Sequence, residues 1–489
     1  MIGLDPIVFL AKAAGRLLLA FTILVVLSGC MPLEQQAVVT GPLADLRRDS
    51  QNSARISCFL NISNDHGPAI KLDVDSLEIL TDNNQWLKIT SGPLKLDSAG
   101  IGTAGQVFLG GRAVPPGHYR QLRLSVSKGE VRKFDGTYEV VVSESFQQEL
   151  NIATDLYVDP EDSHTLLIDW DIQRSLLADK TLDPFLVVFL ASRQLPRNLI
   201  FVSCPDIDTV YTVRSDKNWV VDSFGLKGHP TYLALDPDTS SQRLYVLTPQ
   251  DRMVKVIDLS THRVVDFFPA PLNDEPTFMA ISADGQSAFL LDERSGYVSR
   301  MDLDNGQIDS RVLLGFRPKY AAYLEDQNLL AVSMSLSQKI LLLDPVSLEE
   351  KWTISTGSSP QGLVASDNQL YIAEYGDNTV SVVDLAGNGN QSRMTVGFGP
   401  TRLLDTGNQL FVSNYEDGSL SVLEPGLLGV IQEIYGLGSP KEMVFDSFYR
   451  RLYAADEQKA ALAVIDTNIN LLLGHISFGA KPFGLAVLE

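Results

Sequence analysis

Cysteine is scarce in this chain: three in 489 residues, Cys30, Cys58 and Cys204. None stands in a CxxC, CxxCH or Cys/His zinc spacing, which argues against attached haem c and a structural zinc site. The histidines, His66, His118, His164, His229, His262 and His475, are scattered with no pair at metal-ligand spacing. Positive charge is short too, 39 Lys and Arg against 60 Asp and Glu for a net charge of -21. So acidic a chain is a poor nucleic-acid binder, because phosphate neutralisation needs a basic surface. No apolar run approaches the roughly twenty residues a membrane span needs. Nor is there a Gly-x-Ser-x-Gly elbow, an HExxH, a P-loop or a Rossmann fingerprint. The one faintly calcium-like stretch, Asp302 to Asp309, fails the loop spacing, since its fifth and sixth positions are Gly306 and Gln307. No cofactor and no metal are expected.

What the N-terminus does carry is an export signal. Lys12 and Arg16 precede an apolar run from Leu17 to Leu27, and Leu27-Ser28-Gly29-Cys30 follows. These last four residues resemble the lipobox of bacterial lipoproteins. The resemblance implies a signal peptide over 1–29 and a diacylglyceryl group on Cys30, each buried methylene of which contributes about 0.8 kcal/mol of membrane affinity. Met31 stands where an Asp would imply inner-membrane retention, so the same resemblance implies lipid anchoring in the outer membrane, facing either the periplasm or the surface. Residues 30–54, polar and broken by Pro32, Gly41 and Pro42, read as the lipidated cysteine and a flexible tether. With Cys30 consumed, Cys58 and Cys204 either bridge or stay apart. The alternation in "RISCFLNI" places Ile56, Cys58, Leu60 and Ile62 on one core-facing side, where a cysteine serves as a small hydrophobe.

After Leu199 the chain is periodic. Tyr245, Phe289, Ala331, Tyr371, Phe411 and Tyr453 each lie thirteen residues before Asp258, Asp302, Asp344, Asp384, Glu424 and Asp466. Prolines recur at Pro230, Pro276, Pro318, Pro360, Pro400, Pro440 and Pro482, marking seven units with four short β-rich runs in each. One such sheet cannot bury both faces, whereas sheets packed radially about an axis can, which predicts a seven-bladed β-propeller over 197–489. The chain ends at Glu489 one strand into a unit, and the first unit lacks that strand, so the C-terminal strand is expected to close the ring. "LYIAEYGDNTVSVVDL" and the Gly-x-x-Pro junctions resemble the YVTN family of propellers. The resemblance implies fold and leaves function open, such propellers including binding modules, surface-layer proteins and some enzymes. Arg214 and Glu424 depart from the recurrent Asp, and Asn273 from the junction Gly. That Asp, placed between a strand and a turn, is expected to cap turn N–H groups.

Residues 55–196 alternate strand-like runs with turns and lack helical periodicity, which predicts a β-sandwich-like domain. "VPPGHYRQLRLSV" and "LLIDWDIQRSLL" resemble an uncharacterised domain of bacterial exported lipoproteins. Asp169 and Asp171 on one strand face are either metal ligands or satisfied strand-end carboxylates. The whole chain is therefore expected to be all-β, a sandwich-like domain followed by a propeller.

One residue before and two after each junction proline give 21 positions, which at the chain's average of 39 Lys and Arg in 489 should hold fewer than two basic residues. They hold five: Arg317, Lys319, Arg402, Lys441 and Lys481. On an acidic protein this reads either as a basic channel mouth that receives an anion or as charge scatter on solvated loops. The leading expectation is a lipid-anchored binding or scaffolding protein that recognises a protein or an anionic envelope polymer without catalysis. A lactonase-like enzyme is the alternative, with His229 as base or shuttle, Glu275 as acid and Arg317 as anion clamp. His229 beside Pro230 is also the one position suited to an axial haem ligand. A surface-layer structural component is the third reading.

Overall fold

A computed structural model describes residues 39–40, 53–63, 67–141, 149–177, 182–190, 197–238, 240–271, 275–386 and 391–489. The signal segment, Cys30, His66 and Asn273 lie outside the described residues, as does all of the tether but Val39, Thr40, Ser53 and Ala54. Among the described residues nearly all of the regular secondary structure is β-strand.

The N-terminal part builds two sheets over one apolar core. The larger runs in the order Val39–Thr40, Leu94–Asp97, Ile70–Leu80, Gly117–Arg132, Tyr138–Val140, with Trp86–Lys88 and Leu150–Val158 paired alongside. The smaller runs Phe185–Leu190, Ser163–Asp171, Ala54–Ser63, Gln106–Val114. Its central pair, Ser163–Asp171 and Ala54–Ser63, is parallel; its other pairs are antiparallel. Ile56, Cys58 and Leu60 enter the shared core with Leu72, Leu124 and Trp170, as the alternation predicts. The Trp170 indole N–H donates to Ser175 Oγ at 3.0 Å, so the core's largest side chain leaves no polar atom unpaired. One short α-helix, Ser98–Ala104, departs from the all-β expectation. Asp97 caps it by accepting from the Ala99 N–H, and seven residues are too few to show a helical period.

Residues 199–489 fold into seven four-stranded antiparallel sheets in chain order. In the first, Leu199–Cys204 is flanked by Thr209–Arg214 and by the C-terminal strand Leu485–Leu488, with Trp219–Gly225 at the edge. Leu199 stands opposite Leu488 and Val202 opposite Leu485, so the chain end completes the sheet that its residue 199 begins. The first strands of successive sheets pack on one another from Leu233–Leu235 to Pro440–Asp446, and Leu485–Leu488 touches both of these. The recurrent position is buried in every sheet, as an aromatic at Phe201, Tyr245, Phe289, Tyr371, Phe411 and Tyr453 and as Ala331 in the fourth. The recurrent acid does cap the turn after the third strand. Asp258 Oδ1 accepts from the N–H of Ser260 and Thr261, Asp344 Oδ1 from Val346 and Ser347, and Asp302, Asp384 and Asp466 repeat the arrangement.

The two parts share an interface that periodicity does not announce. The strand Ala54–Ser63 is buried on both faces, because its second face meets the first repeat sheet. Ser57 Oγ lies 2.8 Å from Tyr211 Oη, and Phe59 packs edge-on against Tyr211 and Phe108. Ser163 and Thr165 reach Ser223 at 3.3 and 2.9 Å. Gln106 pairs with Val220 as a strand would, donating to its carbonyl at 3.0 Å and accepting its N–H at 2.7 Å. Cys58 and Cys204 are both free and fully buried, Cys58 in the N-terminal core and Cys204 in the interface cluster. Burial pushes the Cys58 thiol up to about 12 and raises Cys204 as well.

Candidate functional site

Among the described residues, the junctions and the hairpins joining second to third strands lie on one side of the repeat sheets. Backbone bonds tie them together: Ser335 N–H to Arg317 O, Gly376 to Ser358 O, Tyr415 to Gly399 O and Glu457 to Ser439 O. Acidic residues ending the second strands hold the junctions from below. Glu374 Oε1 accepts the Gly357 N–H at 2.6 Å, and Asp456 accepts those of Gly438 and Ser439 at 2.7 and 3.0 Å. A Cβ at Gly357 would stand 2.7 Å from the Glu374 carboxylate, so the junction glycine keeps that donor reachable. Burial opposes ionisation of Asp456, but the His475 imidazole 3.7 Å away and three backbone N–H groups outweigh it and hold the carboxyl at about 2.

The junction prolines open the first strands and leave a ladder position without a donor. At Pro318, Pro360, Pro400 and Pro440 the strand register shifts just after the proline. Such bulges re-aim side chains. The residue two after each proline belongs to a series that reads Tyr232, Phe278, Tyr320, Gly362, Arg402, Glu442, Gly484. Five of these seven meet although they come from different sheets. Arg402 Nε lies 2.5 Å from Glu442 Oε1, its Nη2 donates to Tyr232 Oη at 3.0 Å, and its Nη1 donates to the Thr401 carbonyl at 2.9 Å. The guanidinium also stands 4.5 Å from the Tyr320 ring centre, and Phe278 packs between Tyr232 and Tyr320 at 4.6 Å from each. The two glycines make room: a Cβ at Gly484 would strike the Thr231 carbonyl, and one at Gly362 that of Thr401. Burial works against the Arg402 charge, but Glu442 and the two phenols more than compensate and raise its pKa. Burial pushes Tyr320 up to about 12.

The five basic residues expected at one mouth therefore divide. Arg402 is 3% exposed and locked in this plug, not available to a ligand. Lys319 and Lys441 stay near the rim but are paired, with Glu293 at 3.0 Å and Glu457 at 3.1 Å. Arg317, whose side chain is 60% exposed, stands 4.0 Å from Glu293. Lys481 is exposed, on the last junction. Glu442 already stands among the 21 junction positions, but its pairing with Arg402 is not visible there. The carboxylates sequence reasoning missed are Glu293 and Glu457, which come from the hairpins.

The three residues named for lactone chemistry are engaged separately. His229 is exposed, with its backbone N–H on Asp208 Oδ1 at 2.9 Å. Glu275 pairs with Arg252 at 3.1 Å and Arg294 at 3.4 Å, and Arg317 faces Glu293. No hydrogen bond or ion pair joins any two of the three. Asp171 accepts the Arg174 N–H at 2.9 Å, a strand-end capping role.

Between the paired charges the rim carries exposed apolar groups, Phe316, Leu336 and Phe398. It also carries two phenols tied to acids of the next sheet, Tyr375 to Glu416 and Tyr415 to Glu457. The hydrogen bond to Glu416, with burial, pushes Tyr375 up to about 12, so the phenol stays a donor at neutral pH.

No curated protein matches this chain in sequence. Among solved structures, this chain is similar to a functionally unknown protein from Desulfotomaculum acetoxidans DSM 771, at 13% identity over 60% of this chain and 99% of that one, with a TM-score of 0.54. A hydrazine synthase of Kuenenia stuttgartiensis matches at 16% identity over 56% of this chain and 93% of that one, TM-score 0.49. At such identities the likeness concerns the fold alone. In the N-terminal part, residues 60–184 match the family described as "Domain of unknown function (DUF4382)", and the chain carries that domain.

Proposed function

We propose that this chain is a lipid-anchored binding protein of the cell envelope, held by an acylated Cys30, whose seven repeat sheets form a closed β-propeller that recognises a protein on its junction rim. A sandwich over 55–196 and blades over 197–489 are the corresponding domains. Contact of the C-terminal strand with the first strands on either side, and the meeting of Tyr232, Tyr320, Arg402 and Glu442 from four sheets, support closure.

One observation favours a protein over an anionic polymer. Three of the five rim-side cations already have carboxylate partners within 3.1 Å, while Phe316, Leu336 and Phe398 on the same side are exposed. Exposed apolar and aromatic groups set among compensated charges suit a protein surface, whereas an anion needs uncompensated cations. Arg317 and Lys481 remain the two groups an anionic polymer could use.

The test is quantitative capture from envelope extract with the lipidated protein and two variants, Phe316→Ser/Leu336→Ser/Phe398→Ser and Arg317→Gln/Lys481→Gln. The expected result is loss of captured protein with the apolar variant and little sensitivity to salt. Salt-sensitive capture of polysaccharide, lost only in the Arg317/Lys481 variant, would replace the protein reading with the polymer one.

A further inference from the structure

The larger N-terminal sheet ends in a hairpin with an aromatic residue at its tip. Phe134 is 113% exposed, more than any other large apolar side chain described. The turn that presents it is well made. Lys133 N–H donates to Thr137 O at 2.7 Å, Gly136 N–H to Lys133 O at 3.0 Å, and Asp135 accepts from both the backbone and the hydroxyl of Thr137. Gly136 supplies the required positive φ of 85°. Arg132 and Lys133 precede the phenylalanine, Lys133 pairing with Glu139 at 3.1 Å through side chains that are both about half exposed, and Lys71 lies 4.1 Å above the Tyr138 ring at the base of the hairpin. A rigid turn that spends its backbone bonds on holding a phenylalanine in water asks for an apolar or interfacial neighbour.

Strand register shows where that neighbour lies. Val39 stands opposite Leu96, Leu96 opposite Leu72, and Leu72 opposite Gly129. Thr40 stands opposite Lys95, so the pair Val39–Thr40 runs away from the hairpin and its N-terminal end points toward the tip. Phe134 is five residues beyond Gly129, about 16 Å at strand spacing. Cys30 precedes Val39 by nine residues, a reach of up to about 30 Å. The chain thus enters the sheet at Val39 from the side on which Phe134 projects, and nine residues are enough to let the tip touch whatever holds Cys30.

We propose that the Lys133–Gly136 turn is a phospholipid-bilayer contact, with Phe134 seated among headgroups and Arg132 and Lys133 at the interface, and that it sets the orientation of the whole molecule. This rests on the lipid-anchoring reading above. Aromatic and long cationic side chains are the ones that favour this depth. The contact directs the rim outward. The repeat-sheet strand Trp219–Gly225 lies along Ala54–Ser63 in the opposite sense. Its Trp219 end packs on Gly105 and Gln106, opposite Asn61, and its Gly225 end on Asp162, beside Arg55. Ser63, Gly67 and Ile70 lie at the Asn61 end, and so does the hairpin. Lys227, leading into the first junction, pairs with Glu161 at the other end. The rim with Phe316, Leu336 and Phe398 therefore faces away from the bilayer, where a partner can reach it.

The experiment places an environment-sensitive fluorophore on the full lipidated chain at Phe134→Cys and, separately, at the rim residue Phe398→Cys. Cys58 and Cys204 are fully buried, so the introduced thiol is the one that reacts. In phosphatidylethanolamine and phosphatidylglycerol vesicles, the label at 134 should shift to the blue, be quenched by doxyl lipid, and show iodide quenching at least about threefold weaker than the label at 398. Flotation with Cys30→Ala alongside reads the anchor separately. Floated protein whose label at 134 is as open to iodide as that at 398 overturns the membrane contact and leaves the anchor standing. Protein that does not float overturns both.

Discussion

Replacing Arg402 by Met tests whether the centre of the repeat sheets is a locked plug. Met keeps much of the volume and removes the charge, the donors to Tyr232 and Thr401, and the partner of Glu442. The Arg402 and Glu442 side chains are 4% and 14% exposed, so water replaces little of the lost partner. Breaking such a pair from one side costs about 3 to 5 kcal/mol, because the remaining charge stays buried and uncompensated. At roughly 2 °C per kcal/mol for a unit of this size, the melting temperature should fall by about 6 to 10 °C. Lys481→Gln, from the same sequence position class but exposed, should stay within about 0.5 kcal/mol of the parent. Scanning calorimetry of both variants separates the two environments that the junction pattern treats alike. The double variant Arg402→Met/Glu442→Gln should recover most of the loss, since a buried pair and a neutral, well-packed replacement differ little. A single variant that melts with the parent, or a double variant no more stable than the single, would refute the plug.

Asp456→Asn should cost about 2 kcal/mol at neutral pH. The native carboxyl titrates near 2 against 3.8 when unfolded, so its contribution is complete above 3.8 and disappears as pH falls through about 2. Urea unfolding of parent and variant at pH 7 and pH 3 checks it; an equal gap at both values would contradict the assigned cause. Gln106→Ala leaves the Val220 N–H and carbonyl buried without partners, at about 1 to 3 kcal/mol for each group. It should loosen the interface before either part unfolds, seen as faster hydrogen exchange at the Val220 amide. Unchanged protection there would show that the amide is held by something else.

How much of this was legible in the sequence differs from residue to residue. The seven units were, because one strand-turn phrase recurs with a constant thirteen-residue interval and each phrase forms its own sheet. The core side of Ala54–Ser63 was, because alternation is a local property. Its other side was not: Ser57 and Phe59 look like a solvent face until Tyr211, 154 residues from Ser57, covers them. The basic excess at the junctions is real, but its meaning depends on Glu293, Glu442 and Glu457, which lie sixteen to forty residues away along the chain from their partners. A finer register would have separated Arg402 from the rest. Reading only the second residue after each proline gives three aromatics, two glycines, one Arg and one Glu, a set that belongs in a packed interior.

That interior constrains what the proposed propeller can do. With aromatic rings and a buried ion pair where the first strands converge, the proposed recognition would fall to the rim and not to that centre. The rim's geometry is then only as useful as its direction. The N-terminal domain supplies that direction through an interface made of fixed polar contacts: Ser57 with Tyr211, Thr165 with Ser223, and both amide groups of Gln106 with Val220. Each of these bonds is specific in angle as well as distance, so the two parts cannot slide as an apolar contact would allow. If the chain is anchored as proposed, on the side of Phe134, the N-terminal domain, bonded along one strand to the first repeat sheet, would act as a mount, and any change at the Gln106–Val220 contact should alter how the rim is presented before it alters the rim itself.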